Sequence, residues 1–97
     1  MKVVKDKGGR VHIPVHFLKE IGLSTRDEVQ VCIEHGKICV KKFEREKLRQ
    51  YSNVGIVRRL DKLDRICIPR EYWLLFKVEN ACMVDIYLKG KTMVILV

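Results

Sequence analysis

The chain contains itself twice. Asp6-Lys7-Gly8-Gly9-Arg10-Val11-His12-Ile13-Pro14 returns as Asp61-Lys62-Leu63-Asp64-Arg65-Ile66-Cys67-Ile68-Pro69. The register then continues through Phe17 and Tyr72, Ile21 and Phe76, Leu23 and Val78, Val29 and Val84, and Val31 and Ile86. After one residue is dropped from the second turn, Gly36-Lys37 meets Gly90-Lys91 and Val40 meets Val94. The matches fall on apolar positions and turn residues, where a shared fold constrains a chain. This is a duplication, so one description of local structure must serve both copies.

Each copy predicts the same elements. A short strand (Lys2 to Lys5; Ile56 to Leu60) leads into a turn at Lys7-Gly8-Gly9 or Lys62-Leu63-Asp64. The next strand, Arg10-Val11-His12-Ile13 or Arg65-Ile66-Cys67-Ile68, is rich in β-branched residues, as strands are. It ends at a proline, which cannot donate to a ladder but suits the start of a helix. A brief helix follows, Val15 to Ile21 or Arg70 to Phe76, with Phe17/Ile21 and Tyr72/Phe76 four apart on one face. Gly22 stops the first helix; Lys77 stands in its place in the second. Alternating runs then form a hairpin, Val29 to Ile33 with Ile38 to Lys41, and Val84 to Leu88 with Thr92 to Val97. The expected class is mainly β with short helices, in the order ββαββ twice.

A copy of about 43 residues lies near the size at which isolated domains fail without staples. The expected organisation is therefore residues 1–43 as a first half, 44–53 as a charged linker and 54–97 as a second half. The two halves pack into one barrel. With 47% hydrophobic residues and two prolines, the chain has the apolar content for a core and does not read as disordered.

Charge narrows the partner. Twenty Lys and Arg against twelve Asp and Glu give +8, which favours a polyanion such as nucleic acid. The charge is spread along the chain: nine basic against five acidic residues in 1–43, three against two in 44–53, and eight against five in 54–97. No basic tail carries it, so it must sit on folded surface. Neither a basic amphipathic helix nor an apolar run of membrane-spanning length is present, and the first residues lack a signal peptide's apolar stretch. A cytoplasmic protein without membrane association is expected. Cys32, Cys39, Cys67 and Cys82 form no CxxC pair, so zinc is not implied. Cys32 and Cys39 flank a turn and would face each other on a hairpin, where reduced thiols are expected in that compartment.

Gly55 to Glu71, with its core Asp61-xxx-Arg65-Ile66-Cys67-Ile68-Pro69, resembles the signature of the AbrB/SpoVT swapped-hairpin transcription factors. Asp85 to Lys91 is similar to that family's C-terminal strand pair, and Asp6-xxx-Arg10-Val11-His12-Ile13-Pro14 resembles the same pattern more loosely. The resemblance covers nearly the whole chain. It implies a swapped-hairpin, double-psi-like β-barrel in which each half lends a hairpin to the other, here as a pseudo-dimer within one chain or by exchange between chains. It implies double-stranded DNA as the partner and association with the bacterial nucleoid, with no cofactor. It places Arg58, Arg59 and Arg65 of the second copy, and Lys5 and Arg10 of the first, at the DNA. Lys7, Lys62, Arg70 and Lys19 are the further basic residues expected at phosphates. Arginine suits the role because it forks onto a phosphate or onto the acceptor edge of guanine. The Asp-xxx-Arg pairs and the doubled layout are also similar to the MraZ family, whose chains are longer. Arg10 with Asp6 and Arg65 with Asp61 are equally positioned to pair with each other.

Two features depart from the AbrB pattern. Trp73 and Leu74 stand where the family carries basic residues on its helix. If Tyr72 and Phe76 face the core, Trp73 lies towards the outside, suiting a protein contact or self-association unless the linker or the other helix covers it. Asp64 replaces the glycine before the signature arginine and sets a negative charge beside Arg65.

Two other functions compete. MazE-type antitoxins share this barrel, but they carry an extended acidic tail, whereas this chain ends within its last strand. An assembly module acting through Trp73 and Leu74 is the second. An enzyme is not expected: His12, His16 and His35 are dispersed, no triad partner accompanies them, and Gly8-Gly9 lacks the lysine and helix of a phosphate loop.

Overall fold

The alternating runs become eight strands in the computed structural model, which describes residues 1–97. In chain order they are β1 (Lys2–Lys5), β2 (Arg10–His12), α1 (Val15–Ile21), β3 (Glu28–Glu34) and β4 (Lys37–Lys42). A 3-10 helix (Arg45–Gln50) then leads to β5 (Ile56–Arg59), β6 (Arg65–Cys67), α2 (Arg70–Leu74), β7 (Cys82–Lys89) and β8 (Thr92–Leu96). One antiparallel sheet holds all eight strands in the order β5-β3-β4-β8-β7-β1-β2-β6. It curls until its edge strands, β5 and β6, lie beside each other in a nearly closed barrel. Neither helix is long and apolar enough to cross a membrane.

Four of the seven strand pairings run between the sequence copies. β1 lies against β7 with Lys2 opposite Asp85 and Lys5 opposite Cys82. β5 lies against β3 with Arg59 opposite Glu28 and Ile56 opposite Val31. β2 pairs with β6 around Val11 opposite Ile66, and β4 pairs with β8 from Ile38–Ile95 to Lys41–Thr92. Alternation then decides which side chains turn inward. Val11, Ile66, Val29, Val31, Ile38, Val40, Ile86, Met93 and Ile95 are all at most 1% exposed inside the barrel. They belong to one cluster of 18 buried residues, drawn from both copies, so neither copy has a core of its own.

Both helices close an end of that core. Pro14 and Pro69 begin them, each carbonyl accepting the first helical N–H groups. Gly22 stops α1 at φ 84°, and its N–H donates to Leu18 O. Leu23 N–H donates to the same carbonyl, and Val78 N–H to Trp73 O repeats this bond in the second copy. The chain there turns at Lys77, which takes φ 60° without being glycine. The αL penalty of a Cβ is thus accepted once and avoided once.

The second helix differs from expectation. It ends at Leu74, two residues early, and Tyr72 and Phe76 are only half-buried. Trp73, which would lie outside only if Tyr72 and Phe76 faced the core, is 1% exposed. α1 shows why: it buries the adjacent pair Phe17 and Leu18 together with Ile21, and Trp73 occupies the position equivalent to Leu18. A helix of five residues has too little length for an i,i+4 stripe to set its orientation.

Candidate nucleic-acid interface

Strands β2 and β6 form a short two-stranded ribbon. Val11 and Ile66 point in, so the alternating neighbours Arg10, His12, Arg65 and Cys67 point out. Arg10 stands opposite Cys67, and His12 opposite Arg65. Read from either strand the ribbon is the same: an arginine, a core residue, then a smaller side chain. Ile13 N–H donates to Asp64 O and Ile68 N–H to Gly9 O, which ties each strand's end to the other copy's turn.

Each arginine is held by its own aspartate. Asp6 accepts the Arg10 backbone N–H at 2.8 Å and Arg10 Nε at 2.8 Å. Asp61 accepts the Arg65 backbone N–H at 2.9 Å, Arg65 Nε at 2.8 Å and the Leu63 N–H at 2.9 Å. The Arg10 backbone N–H, foremost, and then its guanidinium hold the Asp6 carboxyl below its usual range. At Asp61 desolvation is the largest influence and opposes ionisation, yet the Arg65 and Leu63 hydrogen bonds together outweigh it and the carboxyl is again lowered. In both pairs only Nε is engaged. The Nη groups of Arg10 and Arg65 have no protein partner, so the forked end of each guanidinium is oriented and unspent. The Arg10 side chain is 45% exposed and that of Arg65 31%, so both are within reach of a ligand.

The other basic candidates divide into three groups. Arg58 and Arg59 are exposed on β5, which neighbours β6 across the barrel's gap. Arg59 is partly occupied, donating to Arg26 O at 2.9 Å and lying 3.8 Å from Glu28, which Arg45 already holds bidentately. Arg58 makes only a 3.4 Å bond to the Val57 carbonyl. Lys7 and Lys62 are exposed in the two turns that precede the ribbon, and Lys19 is exposed in the last turn of α1, with no contact joining it to the ribbon. Arg70 is exposed at the start of α2 and lines a cleft with Lys5 and Lys7.

Lys5 requires a correction. It was expected at the DNA face, but it is 2% exposed and occupies the position equivalent to Leu60 in the core. Its Nζ donates to Asn80 O at 3.0 Å and lies 5.5 Å from the Trp73 ring centroid. The cause is strand alternation: Lys5 shares its inward phase with the core positions of β1, as Leu60 does after β5. Trp73 likewise leaves the list of surface contacts, because its indole Nε1 donates to the buried Gly9 O at 3.3 Å. Leu74, 40% exposed, remains outside with Leu75 at 68%.

Asp64 takes the left-handed φ of 58° where its counterpart is Gly9 at φ 83°. Its carboxylate accepts Thr25 Oγ1 at 2.7 Å and stays unpaired with Arg65. His12 and Cys67 share the ribbon's outer face and were absent from the expected site. The period-two alternation of Arg10-Val11-His12 and Arg65-Ile66-Cys67 was the signal that could have found them. Compared with models of known protein families and with curated proteins, the chain matches none.

Proposed function

We propose that the chain is a double-stranded-DNA-binding regulator of the AbrB type, and that its barrel is the swapped-hairpin kind built from two ββαββ halves. The pairing of β1 with β7 and of β5 with β3 supports the barrel reading, because each joins one copy's first strand to the other copy's hairpin. The observation that carries the function is the β2–β6 ribbon. It presents Arg10 and Arg65 in equivalent settings, each with Nε tethered and its Nη fork free. Paired forks related by an approximate twofold suit the two strands of a roughly symmetric duplex site. Lys7 and Lys62, one in each preceding turn, extend the basic surface symmetrically, and the +8 net charge supplies long-range attraction.

Fluorescence anisotropy on mixed-sequence duplexes between about 50 and 200 mM salt tests this reading. Affinity is expected to fall by about one power of salt concentration for each phosphate neutralised. Arg10→Ala/Arg65→Ala should lose both affinity and slope while keeping the fold, since both side chains are partly exposed and their ion pairs contribute little stability. A flat salt response, or a double variant that binds like the parent, sinks the proposal. Exposed Leu74 and Leu75 favour the second reading, an assembly module acting through α2. Concentration-dependent mass together with no DNA binding selects it.

A further inference from the structure

A cleft of about 320 Å³ lies between the β1–β2 turn and α2. Lys5, Lys7 and Arg70 line it, together with Gly9, Trp73 and, as the one acidic member, Glu79. None of the three cations lies within ion-pair distance of a carboxylate. Lys5 is the informative one. An ammonium has three donors, and Asn80 O takes one of them at 3.0 Å while the Trp73 ring face lies alongside. The remaining donors have no protein acceptor, although the residue is 2% exposed. A lysine covered by protein except where it lines a cleft, and without a carboxylate partner, favours an anion entering that cleft. The sequence repeat shows that the fold does not require the lysine, because the equivalent position holds Leu60, 1% exposed. At that second corner Val15 replaces Arg70 and Leu18 replaces Trp73, and no comparable cleft opens.

We propose that this cleft binds a phosphoryl group, with Lys5 as the buried anchor and Lys7 and Arg70 closing on the anion from the rim. A phosphate is favoured over a single carboxylate because three separate cations converge on the cleft against one acid, a balance suited to a dianion. The volume lies at the lower end of small-ligand pockets, enough for a phosphate with a small ester group. The cleft adjoins the Arg10–Arg65 ribbon and shares Lys7 with the basic surface around it, but its anchor, Lys5, lies outside the ribbon, and the inference does not depend on duplex binding there.

Trp73 is the chain's only tryptophan and reports on the cleft directly. The experiment titrates the full chain with inorganic phosphate against chloride at matched ionic strength, following indole emission. A saturable change in phosphate alone is expected. Lys5→Leu, which copies the residue at position 60 and should therefore fold, is expected to weaken binding about 10-fold or more, the loss typical of a charge-assisted hydrogen bond. Arg70→Ala, on an exposed side chain, should weaken it less without altering the melting transition. Arg10→Ala/Arg65→Ala should leave the titration unchanged, which separates failure here from failure of the DNA reading. A short duplex added to the phosphate-loaded protein distinguishes the two sources of phosphoryl group. Displacement identifies a backbone phosphodiester as the occupant, and retained phosphate identifies a free phosphate ester. No saturable response, a response equal in chloride, or full affinity in Lys5→Leu overturns the proposal.

Discussion

Two corners of this barrel share a backbone course and are filled in opposite ways. At one, Trp73 from α2 covers the β1–β2 turn and donates its indole N–H to Gly9 O. At the other, Leu18 from α1 takes the equivalent place and Asp64 stands where Gly9 does. Both turn residues adopt positive φ, so backbone conformation alone does not decide which of them is glycine. Packing decides it. A Cβ on Gly9 would lie 2.6 Å from Ile68 O and 3.1 Å from Trp73 Nε1. At the second corner an aspartate is accommodated, and its carboxylate accepts from Thr25 Oγ1. Duplicated segments thus diverge in matched sets: the large indole goes with the absent side chain, and the small leucine with a present one.

The most damaging way to break this correspondence is Gly9→Ala. It combines left-handed strain with a backbone clash and should cost about 3 kcal/mol or more, read by thermal or urea denaturation. Next comes Trp73→Leu, which gives the first corner the filling of the second and should cost about 2–3 kcal/mol through lost burial. In that background Gly9→Ala should be milder by about 1 kcal/mol, a coupling that a double-mutant cycle measures directly. Additive penalties would mean that Ile68 O alone enforces the glycine. The helix stops offer a smaller contrast of the same kind. Lys77→Gly relieves a left-handed lysine and should stabilise by about 0.5–1 kcal/mol, whereas Gly22→Ala should destabilise by a similar amount. A melting temperature that falls in Lys77→Gly would show that the lysine side chain contributes contacts worth more than its strain.

The smallest effect concerns what the corners have in common. Asp6 and Asp61 both have lowered carboxyl pKa values, so they bind protons less readily folded than unfolded. Their contribution is fully present above the unfolded value, about 3.9, and is lost as pH falls through the folded values below it. Melting temperature should therefore drop by a few degrees on acidification below pH 4, and Asp6→Asn/Asp61→Asn should flatten that part of the profile. An unchanged profile would assign the acid sensitivity to other carboxylates, such as Glu28 with Arg45 or Asp85 with Lys2.

How far the residues foretold this molecule follows the range over which each interaction acts. The repeat, the order of strands and short helices and the Gly22 stop were legible because turn residues and alternation act within a few positions. The Asp6–Arg10 and Asp61–Arg65 pairs, four apart, were legible for the same reason. Lys5 was misjudged because its charge was given more weight than its phase along β1, although alignment with Leu60 already marked an inward position. Whether Trp73 is covered was not legible, because a five-residue helix takes its orientation from what it covers, and Gly9 is 64 residues away. The contribution of His12 and Cys67 to the ribbon lay within reach of simple alternation. The cleft beside Lys5 was not legible, since it exists only once the turn, α2 and Asn80 have converged.

The pairing of β1 with β7 bears on how the molecule comes into being. Lys2 must find Asp85, and β4 must find β8, before the sheet is continuous. Contacts so remote along the chain carry a large loop-closure cost before any return, which slows two-state folding towards the millisecond-to-second range. During synthesis the first copy therefore has no complete sheet to join. It waits, with its hairpin formed at most locally, until residues near the C-terminus have left the ribosome. A chain truncated before β7 is then expected to be unfolded rather than half-folded.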